Sequence, residues 1–276
     1  MSAFGARLAE VVAAHGTLCA GIDPHPGLLA AWDLTDDADG LESFAAACVE
    51  AFAGHVGVVK PQSAFFERHG SAGIAVLEQL LAAFAGTSTQ VILDVKRGDI
   101  GTTMDGYADA YLAEKAPLGA DAVTLSPYLG FGSLAPGLTA AAKAGRGVFV
   151  LARTSNPEGG EVQLATADGR SVAQAVVDAA AELNAGRPPL GDVGVVVGAT
   201  HDHGLDLTSL NGPVLAPGLG AQGAGAADLV RRFAGLDGLV LGAASRSVLA
   251  AGPEPAALRA AALRLRDELA AAHQGG

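Results

Sequence analysis

The sequence predicts an α/β protein folded as a (β/α)8 TIM barrel in a single domain, residues 1–276. Three observations carry that prediction. Eight short runs rich in Val, Leu and Ile recur along the chain with little polar alternation, the pattern of parallel strands covered on both faces. Stretches with helical spacing lie between them. The alternation fills about 250 residues with no shift in composition to mark a second domain. A doubly wound open sheet remains the alternative at this level, because strand order is not written in a single sequence.

An N-terminal helix is expected first, because Phe4, Leu8, Val11 and Val12 fall on one helical face. The strand runs are Thr17–Ile22, His55–Lys60, Gln90–Lys96, Ala120–Leu125, Gly147–Ala152, Val193–Gly198, Pro213–Ala216 and Gly238–Gly242. Helical spacing marks Leu41–Ala53, Gly73–Ala85, Met104–Ala116, Val172–Ala185 and Ala226–Ala234. A last helix, Pro255 to Ala272, sets Leu258, Ala262, Leu265 and Leu269 on one stripe. The two terminal helices stand outside the core repeat. Two polar interruptions, Arg153–Ser171 and Ala216–Gly225, are expected as long loops after the fifth and seventh strands, at the mouth where barrel active sites are built. The insert around Glu158–Glu161 reads as a mobile segment near that mouth.

Charge and composition exclude whole classes of partner. The 276 residues carry 29 Asp plus Glu against 17 Lys plus Arg, a net charge of −12, with no long basic run. Nucleic acid is excluded because its phosphates demand clustered Lys and Arg, and an anionic membrane surface for the same reason. No run of about 18 apolar residues suggests a spanning helix, and no apolar core precedes a cleavage site as in a secretory signal. Cys19 and Cys48 are too few for a disulfide framework and read as small buried hydrophobes in a reducing, cytoplasmic protein. Lysine is scarce: Lys60, Lys96, Lys115 and Lys143 are all there are.

Two of those four end adjacent strand runs. Lys60 closes Val58-Val59-Lys60-Pro61, and Lys96 lies in Asp94-Val95-Lys96-Arg97-Gly98-Asp99. Residues two apart on a strand share a face, so Asp94 and Lys96 are expected to point together into the mouth, with Val95 outward. Gly98 permits a turn that takes Asp99 off that face. An ionisable group after an apolar run is costly unless paired or functional. Two Lys and two Asp thus make either an alternating charge set at one mouth or plain strand-end ion pairs facing water. Arg246 follows the last strand run, where barrels often bind phosphate, and its guanidinium fork suits phosphate geometry.

Other motifs carry less. Gly218-Leu219-Gly220-Ala221-Gln222-Gly223 matches G-x-G-x-x-G, but its strand is short, Pro217 interrupts it and no acidic residue ends a strand about 20 positions on. A loop whose backbone amides approach phosphate is the better reading. His201-Asp202-His203 lacks a third ligand set and reads as surface residues in a loop and short helix, with Asp202 as a cap. Ser126-Pro127-Tyr128 is expected to pack on the pocket wall, and Trp32 and Phe65-Phe66 to lie in core or interface. Ser171 shows no nucleophile-elbow pattern.

The charged set, taken with Ile22-Asp23-Pro24, Arg153-Thr154-Ser155-Asn156-Pro157, Ala216-Pro217-Gly218 through Gln222-Gly223, and Ser245-Arg246-Ser247, resembles the orotidine 5′-phosphate decarboxylase family in its longer bacterial, type 2 branch. Asp-x-Lys-x-x-Asp alone belongs to a wider superfamily; the combination, in order from about residue 17 to 250, narrows it. The resemblance implies conversion of orotidine 5′-phosphate to UMP in de novo pyrimidine biosynthesis by a homodimer, with no metal and no organic cofactor. It implies that Lys60, Asp94, Lys96 and Asp99 form an alternating network. Asp99 would reach the neighbouring subunit's site, accompanied by Ile100 and Thr103. Asp23 would hold ribose hydroxyls, Ser155 would contact the pyrimidine, and Gln222 with Arg246 would grip the phosphate. Arg97 takes no role from the resemblance and is expected to make a structural surface contact.

Loss of carbon dioxide from C6 of orotidylate leaves a carbanion in the ring plane, out of reach of π delocalisation. Electrostatic preorganisation is the remaining lever, with a fixed cation beside the developing charge in a site that excludes water. Lys96 is expected there, first as counter-charge and then as proton donor to C6. Asp94 would favour the Lys96 ammonium, and Lys60 and Asp99 would orient the pair. Two rivals stand beside this reading. One is a Mg2+-dependent relative acting on a sugar phosphate, a hexulose-phosphate synthase or ketogulonate-phosphate decarboxylase, in which an acidic residue stands where Lys60 does; a second cation there repels a metal. The other is a silent barrel that senses nucleotides or phosphorylated sugars, which has no use for a cation aimed at a carbanion.

Overall fold

The computed structural model describes residues 2–220, 223–236 and 239–274. All eight anticipated runs become barrel strands: β1 (Leu18–Ile22), β2 (Val58–Pro61), β3 (Gln90–Arg97), β4 (Ala122–Leu125), β5 (Gly147–Arg153), then, past a small hairpin of β6 (Thr166–Ala167) and β7 (Arg170–Ser171), β8 (Val193–Val197), β9 (Val214–Pro217) and β10 (Val240–Ala244). They pair in parallel in the closed order β1-β10-β9-β8-β5-β4-β3-β2. Closure of the ring excludes the open doubly wound sheet. The runs read as continuously apolar because each strand is buried on both sides, by the barrel interior and by the helical layer.

The interior cluster takes one side chain or more from every barrel strand, among them Cys19, Val58, Ile92, Phe149, Leu215 and Leu241. The N-terminal helix, Phe4–His15, adds Phe4, Leu8 and Val12 to that cluster and so plugs the barrel floor, opposite the mouth. Phe4 meets Phe149 edge to face with ring centroids 6.1 Å apart. Gly147 makes room: a β-carbon there would lie 2.2 Å from the Phe4 ring. A fully buried Phe of this kind carries about 3–5 kcal/mol against truncation to Ala. The Gly5 amide donates to Asp192 Oδ1 at 2.8 Å and ties the helix start to the strand below it.

A second, larger cluster lies between strands and helices. The last helix, Pro255–Gln274, buries Leu258, Ala262 and Leu269 there, with Leu265 half-buried against it. Trp32 is core, as expected: it packs on Phe44 and donates its indole N–H to the Leu249 carbonyl at 3.1 Å. Cys19 and Cys48 are both free and fully buried.

One local expectation needs correction, and two segments hold structure that the sequence did not announce. A helix at Ala135–Ala144, between β4 and β5, had no apolar stripe to announce it, because the residues it buries are Gly137 and Ala141. The connection from β8 to β9 contains no helix; Asp202 Oδ1 accepts from the Gly204 amide at 3.2 Å and so caps a turn. In that segment His203 stacks on Phe233, and its two ring nitrogens engage the Leu205 amide and the Arg232 carbonyl. The Arg153–Ser171 loop is not irregular chain: it holds a 3-10 turn at Pro157–Gly159, a helix at Gly160–Gln163 and the β6–β7 hairpin.

Candidate active site

A cavity of about 600 Å³ opens at the C-terminal ends of the strands, large enough for a nucleotide-sized ligand. Lys60, Asp94 and Lys96 line it together. Lys60 extends the buried run Val58-Val59 and carries its ammonium to Asp94 Oδ2 at 3.0 Å. Lys96 Nζ reaches Asp94 Oδ1 at 2.7 Å. The convergence of Asp94 and Lys96 is as expected, with Val95 between them buried in the outer cluster, but the strand is irregular there. Regular pairing of β3 with β4 breaks after Leu93 and resumes at Arg97, and Lys96 takes a φ of 47°, in the left-handed region that side chains disfavour. Thr124 Oγ1 donates to Asp94 Oδ1 at 2.7 Å and accepts from the Lys96 amide at 2.9 Å.

The three charges differ in access. Asp94 and Lys60 are buried, whereas the Lys96 side chain is 45% exposed, so Lys96 is the more accessible of the two cations to a ligand in the cavity. Burial opposes ionisation of Asp94, but Lys60 and Lys96, with hydrogen bonds from Lys96 and Thr124, outweigh it and hold the carboxyl well below its usual range. Burial likewise opposes charge on Lys60, and the Asp94 and Asp23 carboxylates reverse the balance and raise its pKa above the ordinary lysine value. Gln62 braces both partners, its Oε1 accepting from Lys60 Nζ at 3.3 Å and its Nε2 donating to the Asp94 carbonyl at 3.2 Å. Burial pushes the Cys19 thiol, behind this cluster, up to about 12.

Asp23, Ser155 and Arg246 line the same cavity, as expected. Asp23 Oδ1 is buried with no hydrogen-bond partner in the protein, an acceptor that a ligand hydroxyl would satisfy. Ser155 follows Thr154, whose amide donates to Gln163 Oε1 at 3.0 Å; Gln163 Nε2 returns a bond to Thr154 Oγ1 at 2.8 Å, so the short helix pins the loop that presents Ser155. Gln222 lies outside the described residues; Gly218 and Leu219, from the same glycine-rich loop, line the cavity.

Asp99, Ile100 and Thr103 are not brought to this cavity. The Asp99 carboxylate accepts from the Ile100 amide at 2.8 Å, Ile100 is 62% exposed, and Thr103 is exposed on the following helix. Gly98 serves close approach here: a β-carbon would lie 2.2 Å from the Ser126 carbonyl oxygen. Ser126 therefore packs against Gly98; neither it nor Tyr128 lines the pocket as expected, and Tyr128 is 77% exposed. Arg97 makes the structural contact anticipated for it, pairing with Glu67 at 2.6 Å over the Tyr107 ring. The Phe65-Phe66 pair divides: Phe66 is fully buried, while Phe65 lines the cavity beside His25. Gln62 and Thr124 are among the site residues that sequence reasoning missed, with His25 and Gln163. Gln62 had a signal, two positions beyond Lys60; Thr124 had none, because its partners come from a bulge in another strand.

Closed barrel and charged mouth together define a (β/α)8 enzyme class whose ligand is held at the strand ends. The chain belongs to the orotidine 5′-phosphate decarboxylase / HUMPS family, whose model matches residues 16–261. It is 60% identical over 277 residues, the whole of both chains, to the orotidine 5′-phosphate decarboxylase of Salinispora arenicola. It is 53% identical over 274 residues, 98% of each chain, to that of Streptomyces coelicolor. A crystal structure from Streptomyces avermitilis, provisionally named orotidine 5′-phosphate decarboxylase, superposes with a TM-score of 0.96 at 52% identity, covering 99% of this chain and 97% of that one.

Proposed function

We propose that this enzyme, a carboxy-lyase that converts orotidine 5′-phosphate to UMP in pyrimidine biosynthesis, works by electrostatic preorganisation around Lys96. The observation that carries this reading is the line of charge in which one buried carboxylate, Asp94, binds Lys60 on one oxygen and Lys96 on the other. Such a line fixes the Lys96 ammonium before substrate arrives, so little reorganisation accompanies the reaction. As the C6–carboxylate bond breaks, its electron pair stays on C6. The Lys96 cation stabilises that pair and then delivers a proton to it. Lys60 and Gln62 keep Asp94 in place. Asp23 receives the ribose hydroxyls on its unpartnered oxygen, Ser155 contacts the pyrimidine, and Arg246 with Gln222 holds the phosphate, whose binding energy orients the ring over Lys96.

The same reading makes the chain one barrel domain that acts as a cytoplasmic homodimer. Ile100, next to Asp99, and Tyr128 and Leu129, on the segment that follows Ser126, are exposed apolar residues suited to contact with a second copy. Across that contact Asp99 enters the partner subunit's site, with Ile100 and Thr103 beside it. Among the described residues no helix is long and apolar enough to cross a membrane. Lys60 sets the reading apart from that of a Mg2+-dependent sugar-phosphate relative, because two ammonium groups on one carboxylate leave no charge for a divalent cation. The reaction is therefore assigned no metal, and the family resemblance assigns it no organic cofactor. The test is orotidylate turnover by purified protein in excess EDTA.

A further inference from the structure

The geometry points to Thr124 as a positioning residue for the decarboxylation, one hydroxyl that holds both the carboxylate of Asp94 and the backbone of Lys96. This rests on the roles given above to Asp94 and Lys96. The β3–β4 pairing sets Leu93 opposite Val123 and Arg97 opposite Leu125. Asp94, Val95 and Lys96 on β3 therefore face Thr124 alone on β4.

A bulge of that size leaves ladder groups without their ordinary backbone partners. Thr124 supplies a replacement: its Oγ1 accepts from the Lys96 amide at 2.9 Å, and the same hydroxyl donates its proton to Asp94 Oδ1 at 2.7 Å. A hydroxyl can do both at once, having one donor and two acceptor sites. Asp94 Oδ1 is also the atom that receives Lys96 Nζ. The Thr124 oxygen thus closes a small ring with the backbone and the side chain of the bulge, and holds Lys96 in the left-handed conformation at φ 47° that aims its ammonium into the cavity. Thr124 is 1% exposed, so water is a poor substitute for the hydroxyl. Val shares the β-branching of Thr, so structure and positioning are separable by chemistry at this position.

Thr124→Val keeps the size and branching and deletes both bonds; Thr124→Ser keeps the hydroxyl and deletes the methyl. The experiment measures kcat and KM for orotidine 5′-phosphate, UMP affinity and thermal unfolding for wild type, both variants and Lys96→Ala. The expected result is a kcat about 10- to 100-fold lower for Thr124→Val, as for loss of a hydrogen bond to a charged group, with UMP affinity within about 3-fold of wild type. Thr124→Ser should stay within about 3-fold of wild-type kcat. A folded Thr124→Val with near-normal kcat overturns the proposal, as does a folded Thr124→Ser as impaired as the valine variant, or a loss shared equally by kcat and UMP affinity. Should Thr124→Val not fold, the serine variant alone decides by the same kcat criterion. An active Lys96→Ala would instead undo the reading of the site on which the proposal stands.

Discussion

Lys96 Nζ donates to Asp94 Oδ1 at 2.7 Å from a backbone turned into the left-handed region, φ 47°, so two residues of one bulge grip each other at its mouth. Lys96→Ala removes the ammonium without touching the barrel core. Turnover should fall by more than about 1,000-fold, the combined scale of a lost proton donor and a lost charge stabiliser, while circular dichroism and melting stay close to wild type. The backbone itself gives a second reading: Lys96→Gly, free of the left-handed penalty, should be about 1 kcal/mol more stable than Lys96→Ala in urea unfolding. Equal stability would argue against the backbone geometry.

Asp94 binds two cations, and its carboxyl is held below the ordinary value of 3.8. A carboxyl depressed in the folded state stabilises the protein above its unfolded pKa and loses that contribution as pH falls toward its folded one. Asp94→Asn deprives the buried Lys60 ammonium of its bonded carboxylate, leaving only the Asp23 charge, and should cost about 3–5 kcal/mol near neutrality. The gap between wild type and variant should be constant from pH 7 to about 5 and narrow below about pH 4. Urea unfolding across that range measures it, and a gap independent of pH contradicts the pairing.

Arg246 lines the same cavity as Lys60, Asp94 and Lys96. Arg246→Ala should raise KM for orotidine 5′-phosphate about 10- to 100-fold, as for a lost charge-assisted hydrogen bond. Orotidine, which lacks the phosphate, should be used equally poorly by wild type and variant. Steady-state kinetics on both substrates measures this, and an unchanged KM removes Arg246 from phosphate recognition.

Asp99 accepts from the neighbouring Ile100 amide and lies outside the cavity of its own subunit, next to the exposed Ile100. Inactive Lys96→Ala and inactive Asp99→Ala subunits, mixed and allowed to exchange, should recover activity, approaching a quarter of wild type when mixed equally, because one of the two sites in a hybrid dimer is intact. Labelled subunits can report the exchange independently. No recovery after demonstrated exchange counts against a site shared between chains.

Much of this was legible in the sequence for physical reasons. All eight strand runs were visible because burial on both faces leaves only apolar residues, and Lys60 and Lys96 stood out because charge is costly after such runs. The helix at Ala135–Ala144 stayed hidden because it packs through Gly137 and Ala141, which make no apolar stripe. The role of the N-terminal helix was hidden because its partners, Gly147 and Phe149, are far along the chain. Thr124 was hidden for a deeper reason: it acts through a register shift, and pairing register between parallel strands leaves no local mark. Strand alternation did anticipate the shared face of Asp94 and Lys96, but not the bulge they form against β4.

The central claim is metal-free decarboxylation of orotidine 5′-phosphate driven by the Lys96 cation. Its most direct test is the loss of orotidylate absorbance on adding purified protein in excess EDTA, with Lys96→Ala alongside. The account predicts full turnover by wild type, unchanged by EDTA, and none measurable by the variant. Absence of turnover under EDTA, together with Mg2+-dependent turnover of a sugar phosphate, would contradict it.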